Sequence, residues 1–332
     1  MPKKIKSQVS KAKFKLGWDP VIDSRNNFRE YIPAPYHSVF ILSADFELAW
    51  AWQFAKVLNP YEQAIQKARQ ARRNIPMILE LCNFFNIPIT WATVGHLFLE
   101  ECKCQESNAH NNLPQLSPFE GEFIKFEGNN WFQNDPCSNY KDRPEWYAPD
   151  LIYQIIKADP QHEIGCHTFS HIDCRDNTCP PEVFRAEIRE CKKLAEEWGI
   201  KLESFVHPAH TIGHLDDLAN LGFTNYRTNN RNVLGFPIKH RNGLWEFEQT
   251  TELAYREDWS LKYHIYRYKK IIQRAIKTNT LCYFWFHPSL DPVFAEEVFP
   301  EVFRFLDGHR EDIWITTSGE YIRYLNETHQ PK

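Results

Sequence analysis

His162-Glu163-Ile164-Gly165-Cys166-His167-Thr168-Phe169-Ser170-His171 carries an alternating strand-like run straight into two histidines four positions apart. Ile164 and Cys166 alternate with small or polar neighbours, the period of a short buried strand. If the chain turns into a helix after Cys166, His167 and His171 share one face and both imidazoles converge on one point. Two neutral imidazoles, a carboxylate and an open coordination position make a catalytic divalent-metal site. The carboxylate comes from upstream. Ser38-Val39-Phe40-Ile41-Leu42-Ser43-Ala44-Asp45 is a continuous apolar run ending in an acid, as expected of a parallel strand buried on both faces. Asp45 and Glu47, two apart, point the same way from an extended strand. Carboxylates that close repel unless a cation lies between them. One as metal ligand and the other as base for a metal-activated water removes that cost.

The same alternation recurs along the chain. Helical spacing covers 64–85, 151–156, 181–198, 215–221 and 266–278, and strands are expected at 87–94, 202–206 and 280–286, with a terminal strand and helix over 313–325. Buried strands alternating with amphipathic helices argue for a parallel α/β architecture. Asp45, His167, His207 and His287 each fall at or just after a strand's C-terminal end, and in a barrel those ends share the catalytic face. The Asn-rich stretch 104–147 reads as a polar insertion on that face, a wall or lid for a groove. Residues 1–33 read as a basic, flexible N-terminal tail, and 34–328 as a single barrel domain.

Composition narrows the function classes. With 332 residues, 42% hydrophobic and 25% charged, the chain supports one large globular domain, and a net charge of -4 gives no reason to expect nucleic acid. No stretch approaches the roughly 18 apolar residues of a membrane span. The lysine-rich start lacks an apolar core, so no secretory signal is read and a cytoplasmic location with reduced thiols is expected. That basic tail could make weak contact with an anionic surface. Cys102-Lys103-Cys104 and the Cys174/Cys179 pair could bind metal or oxidise, yet neither has zinc-ribbon spacing. The sequence lacks HExxH, Walker and GxGxxG patterns.

Two further histidine segments stand out. Phe286-His287-Pro288-Ser289 ends an aromatic strand beside Trp285, a placement that suits a general acid on a leaving group. Phe205-Val206-His207-Pro208-Ala209-His210 offers His207, Pro208 and His210 as substrate contacts. Trp91, Trp146 and Trp285 could stack on sugar rings, or fill the core.

In this order the motifs resemble those of the polysaccharide deacetylase, or NodB-homology, family of carbohydrate esterases, over roughly 38–325. Ser43-Ala44-Asp45-Phe46-Glu47 stands at the family's acidic motif, Pro88-Ile89-Thr90-Trp91-Ala92-Thr93-Val94-Gly95 at its Ala-Thr-Phe-Phe-Val-x-Gly strand, and 162–171 at its metal-binding His-x3-His. Phe205-Val206-His207-Pro208 matches an Arg-x-Pro-x-Gly motif and Phe286-His287-Pro288 the catalytic histidine motif. The resemblance implies an α/β fold, a distorted (β/α)7 barrel of the NodB-homology, glycoside hydrolase/deacetylase type. It implies hydrolysis of an N-acetyl group on an amino sugar or glycan with a divalent metal, Zn2+ first, with Co2+, Mn2+ or Ni2+ as alternatives. By resemblance, His167 and His171 are metal ligands, Asp45 the general base and His287 the general acid. Phe46 replaces the family's second, metal-binding aspartate, which leaves Glu47 as the carboxylate ligand. Val206 replaces the arginine that orients the base, and His207 or His210 would compensate. Alternative readings are a hydrolase of a small cyclic or formyl amide, or a catalytically silent glycan-binding barrel.

Overall fold

The computed structural model describes residues 3–17, 19–23, 29–104 and 109–329; parts of the N-terminal tail and of the polar insertion therefore lie outside the described residues. The order of the main sheet runs Ile238–Lys239, Trp245–Glu248, Asn225–Thr228, Ser204–Val206, Glu163–Cys166, Thr90–Thr93, Ser38–Phe46, Leu281–Phe286, Thr251–Glu252. Every neighbouring pair is parallel except Ile238–Lys239 with Trp245–Glu248. Ile313–Thr316 pairs with the first half of Ser38–Phe46, and Thr90–Thr93 takes the second half. Helices Pro60–Phe85, Pro149–Lys157, Pro181–Glu197, Leu215–Asn220, Leu261–Thr278, Pro292–Asp307 and Ser318–Thr328 separate the strands.

All nine residues of Ser38–Phe46 are buried, because both faces of the strand are covered. Phe40, Leu42, Ala44 and Phe46 face a large core shared with the helices, whereas Val39 and Ile41 join a smaller interior cluster with Trp245, Phe247, Tyr283 and Tyr321. Along the inner face the side chains change from Val39 and Ile41 to Ser43 and Asp45. That gradient makes one end of the barrel apolar and the other polar. Beyond His287, the buried Asn74 of helix Pro60–Phe85 donates to the carbonyls of Pro288 (2.8 Å) and Leu290 (3.0 Å), pinning the loop that follows the histidine.

Several local expectations change. Lys3–Lys15 is a helix where a flexible tail was expected. Phe14 packs edge-on to Tyr266, Lys11 sits over the Tyr263 ring, and Arg274 donates to the carbonyls of Gly17 and Pro20. Tertiary contact with helix Leu261–Thr278 overrides a weakly amphipathic sequence. The strands Asn225–Thr228 and Trp245–Glu248 and the helix Pro292–Asp307 were not expected; the two strands are short and carry polar residues. Cys104 and Cys137 form a disulfide (Cα–Cα 5.4 Å), against the expectation of reduced thiols, while Cys174 and Cys179 remain free and buried. No helix of the described residues is long and apolar enough to cross a membrane.

Candidate active site

Glu47 lies just beyond strand Ser38–Phe46 and is the hub of the site. Its Oε1 lies 3.2 Å from His167 Nε2, 3.4 Å from His171 Nε2 and 3.5 Å from His287 Nε2. Glu47, His167 and His171 are buried and their donor atoms lie within 4.8 Å of one another. The histidine pair does not ride on a helix. After Cys166 the chain makes a tight turn in which Thr168 (φ 59°) and His171 (φ 60°) adopt the left-handed region. For non-glycine residues that conformation persists only when neighbours hold it. Here Glu187 accepts from the Ser170 amide (2.8 Å) and hydroxyl (2.7 Å), Trp131 of the insertion donates to the Ser170 carbonyl (3.1 Å), and Gly95 donates to the Thr168 carbonyl (2.8 Å).

His167 donates from Nδ1 to the Val206 carbonyl at 2.7 Å, since a carbonyl only accepts. In the neutral ring Nε2 is then a bare lone pair aimed at a carboxylate oxygen, a repulsive contact unless positive charge lies between. Burial also pushes the His171 imidazole toward its neutral form, with Glu47 opposing. On Asp45, buried Oδ1 has no hydrogen-bond partner. The converging Nε2 atoms of His167 and His171 and the buried Glu47 carboxylate, with an unpartnered carboxylate oxygen beside them, could hold a divalent cation.

Asp45 is held differently. Arg227 donates from one terminal nitrogen to Asp45 Oδ2 and from the other to Ser43 Oγ, both at 2.7 Å. Burial raises the Asp45 carboxyl, yet Arg227 and then His167 outweigh it and hold it below its usual value. The Arg227 guanidinium also lies over the Trp285 ring, 4.5 Å from its centroid. This arginine corrects the sequence expectation. Val206, where the resemblance left a gap, is the register partner of Arg227 on the adjacent strand. The charge reaches Asp45 from one strand over. An arginine followed by Thr228 and the Asn229-Asn230 turn was the only local signal, and it is a weak one.

His287 projects from the end of Leu281–Phe286, with Glu252 Oε1 3.5 Å from Nδ1 and Glu47 on its other side. Burial opposes its charge, but the Glu47 and Glu252 carboxylates raise its pKa well above the usual imidazole value. The reciprocal effect holds Glu47 well below the carboxylate range despite the burial that raises it. A cleft lined by Trp52, Lys67, Gln70, Glu252, Tyr255 and Ser289 opens onto His287.

The remaining sequence candidates separate. His207 donates from Nε2 to the Gly213 carbonyl (3.0 Å) and lies outside the group of converging donors. Burial pushes its pKa down to about 4. Pro208 is buried, its carbonyl accepting from Thr211. His210 meets Trp285 edge-on at 5.2 Å and faces a depression walled by Phe123 of the insertion and by Asp173. Trp285 therefore borders the site. Trp91 and Trp146 are each 0% exposed and offer no face to a ligand: Trp91 packs on Phe46 and Phe286, Trp146 on Trp50. Their positions read as strand-end aromatics because sequence cannot tell which face of a short strand meets solvent. Trp52 and Tyr255 were not singled out from sequence, yet they line the cleft.

No protein-family profile and no curated protein matches the sequence. Solved structures do match in shape. PuuE allantoinase superposes with a TM-score of 0.61 at 13% identity, covering 92% of this chain and 96% of that one. A Pseudomonas aeruginosa PAO1 protein assigned as a polysaccharide deacetylase gives 0.61 at 11% identity, covering 91% and 95%. Agd3, a carbohydrate deacetylase, gives 0.51 at 12% identity, covering 88% and 54%. With that likeness spanning nine-tenths of the chain, and a curled parallel sheet whose strand ends converge on one site, the chain has the NodB-homology fold of the polysaccharide deacetylases.

Proposed function

We propose that this protein is a divalent-metal-dependent hydrolase of an N-acyl amide, N-acetyl in the first instance, on an amino sugar or glycan. The observation that carries the reading is the division of labour between two neighbouring carboxylates. Glu47 faces three imidazoles, while Asp45 faces an arginine and keeps one oxygen without a partner. Glu47, His167 and His171 would hold the metal, zinc by donor type, which would polarise the amide carbonyl and lower the pKa of a water.

Asp45, kept ionised by Arg227, accepts the proton released at the attacking water. His287, kept protonated by Glu252 and Glu47, donates to the nitrogen of the departing amine. Arg227 and Trp285 hold the base against the barrel wall, so the proton acceptor does not swing toward the cation. Trp52 and Tyr255 provide half-exposed rings along the cleft for the sugar, with Gln70 and Lys67 to meet its hydroxyls. Glycosidic cleavage needs two carboxyl groups flanking the anomeric carbon, roughly 5–9.5 Å apart. Asp45 and Glu47 project from one strand end to one side, a poor arrangement for that reaction.

The test is mass spectrometry of acetylated chitooligosaccharides incubated with metal-loaded protein. Loss of acetyl groups at constant ring number is expected. Shortened oligomers would refute the assignment. The likeness to an allantoinase favours a second reading, hydrolysis of a small cyclic amide. Turnover of small amides with none on oligosaccharides would select it, and no turnover of either would favour a binding barrel.

A further inference from the structure

A second set of donor atoms converges outside this site, where the polar insertion meets the sheet. His96 sits on the 3-10 turn Gly95–Phe98 that follows strand Thr90–Thr93, Cys102 lies just beyond it, and His110 and Asp135 come from the insertion. Asp135 Oδ2 is 2.9 Å from His96 Nε2 and 3.2 Å from His110 Nε2. The two Nε2 atoms are 3.1 Å apart, and Cys102 Sγ is 3.4 Å from His110 Nε2. All four donors lie within 4.8 Å of one another.

Hydrogen bonding alone leaves this cluster frustrated. Each Nε2 carries at most one hydrogen. If both carry one, two N–H groups crowd each other at 3.1 Å while sharing a single oxygen. If one is bare, its lone pair faces the Asp135 carboxylate across about the same gap. A cation at the centre turns every inward atom into a useful donor. Tetrahedral zinc with bonds of about 2.0–2.3 Å sets its donors roughly 3.3–3.6 Å apart, close to the separations seen.

The outward side of the cluster is already committed. Asp135 Oδ1 accepts from the Cys137 amide and from the Tyr147 hydroxyl, both at 2.8 Å, which leaves Oδ2 pointing inward. His96 Nδ1 lies 3.3 Å from the Trp146 carbonyl, so the ring can donate there and present Nε2 bare. Such supporting bonds are what metal ligands ordinarily receive. The His96 and Asp135 side chains are sealed from solvent, whereas a surface depression bordered by Glu101, Asn112 and Glu190 reaches Cys102 and His110 and offers an entry path.

We propose that His96, Cys102, His110 and Asp135 form a structural divalent-cation site, zinc by its mix of thiolate, imidazole and carboxylate. Binding displaces the Cys102 thiol proton to solvent and forms a sulfur–metal bond. Four protein ligands close the coordination sphere and leave no position for a reacting water. The site staples an insertion with little regular structure onto the catalytic end of the barrel. It also borders both segments that carry the Glu47 site. His96 donates its amide to the Phe169 carbonyl (2.9 Å), inside the turn that carries His167 and His171. On the other side Trp50 packs on His96 (ring centroids 4.3 Å apart) and donates its amide to the Glu47 carbonyl (3.2 Å).

The test is metal analysis of the full chain, together with absorption spectra after Co2+ replaces the bound metal. Expected are a thiolate-to-cobalt charge-transfer band and a metal stoichiometry that Cys102→Ser lowers by one equivalent. That band should persist in Glu47→Gln, whose loss of metal is confined to the other site. Should Cys102→Ser fail to fold, the wild-type spectrum still decides. Cobalt-loaded wild type without a thiolate band, or equal metal content in wild type and Cys102→Ser, would overturn the proposal. A thiolate band with no metal lost in either Glu47→Gln or Asp45→Asn would sink the hydrolase reading and leave this site standing.

Discussion

Around Glu47 the donors leave room; around Asp135 they do not. Both clusters combine two imidazoles with a carboxylate at the same end of the barrel, and all their members but the half-buried His110 are buried. The first offers three candidate ligands, a carboxylate with an unpartnered oxygen beside it, and an imidazole whose pKa is raised at the mouth of a cleft. The second adds a cysteine as fourth donor, and both oxygens of its carboxylate are engaged. The contrast teaches that ligand type says little about role. The number of protein ligands, and what stands beside them, separates reactivity from structure.

The largest expected effects test the open cluster. Asp45→Asn should cut turnover by roughly 10²–10⁴-fold while metal stays bound, the usual cost of losing a general base. Glu47→Gln should weaken metal binding by more than the roughly 10–100-fold seen when only a group supporting a ligand is lost. Titration of both variants with metal, alongside turnover, checks the pair. Metal lost from Asp45→Asn but kept by Glu47→Gln would reverse the assigned roles.

Arg227→Met comes next. Arg227 lowers the Asp45 pKa, so removing it raises that pKa, and the acid limb of kcat/KM should move to higher pH. Breaking a buried pair also costs about 3–5 kcal/mol of stability, and Arg227→Lys should recover part of both losses. An unshifted acid limb would mean that Asp45 is not the group being titrated.

A smaller effect sharpens the placement of substrate. Trp52→Ala should raise KM by about three- to tenfold with kcat and metal content unchanged, on the scale of about 1 kcal/mol for an aromatic face. Trp91 and Trp146, buried in the core, should instead lower stability when truncated. Equal KM effects from Trp52 and Trp91 would show that the cleft has been misplaced.

A last effect, read in stability and not in turnover, concerns the turn that carries His167 and His171. Burial raises the Glu187 carboxyl to about 7, against the Ser170 bonds that lower it. Its folded pKa exceeds its unfolded one, so the native state binds more protons and stability falls as pH rises from about 4.5 to about 7. Each unit of such a shift corresponds to about 1.4 kcal/mol. Glu187→Gln should flatten that slope in thermal melts across the window. A slope that survives the substitution would assign it to another group.

Local spacing made much of this molecule legible. The strand-end placement of Asp45, His167, His207 and His287 follows from apolar runs that end in polar residues, and the structure has it so. The shared face of Asp45 and Glu47 follows from the period of an extended chain. Elsewhere the reading failed where the local signal was short. A helix after Cys166 was one condition for convergence, and it is not met: spacing by four looks the same whether a helix or two left-handed residues bring the rings together. Asn225–Thr228 passed unnoticed because four polar-looking residues do not resemble a buried strand until they are paired between Ser204–Val206 and Trp245–Glu248.

What the sequence determined by itself is the set of groups that sit close along one strand or one turn, because backbone geometry alone sets those distances. Three matters were decided only by tertiary structure. Arg227 reaches Asp45 from 182 residues away through strand register. His167 and His171 both come within 3.4 Å of Glu47 because of where the turn at 167–171 is pinned. His96, Cys102, His110 and Asp135 meet only when an irregular insertion folds back on the sheet. Their spacing carries no period, so no local rule brings them together; packing of His110 and Phe132 of the insertion against Trp50 and Phe169 does.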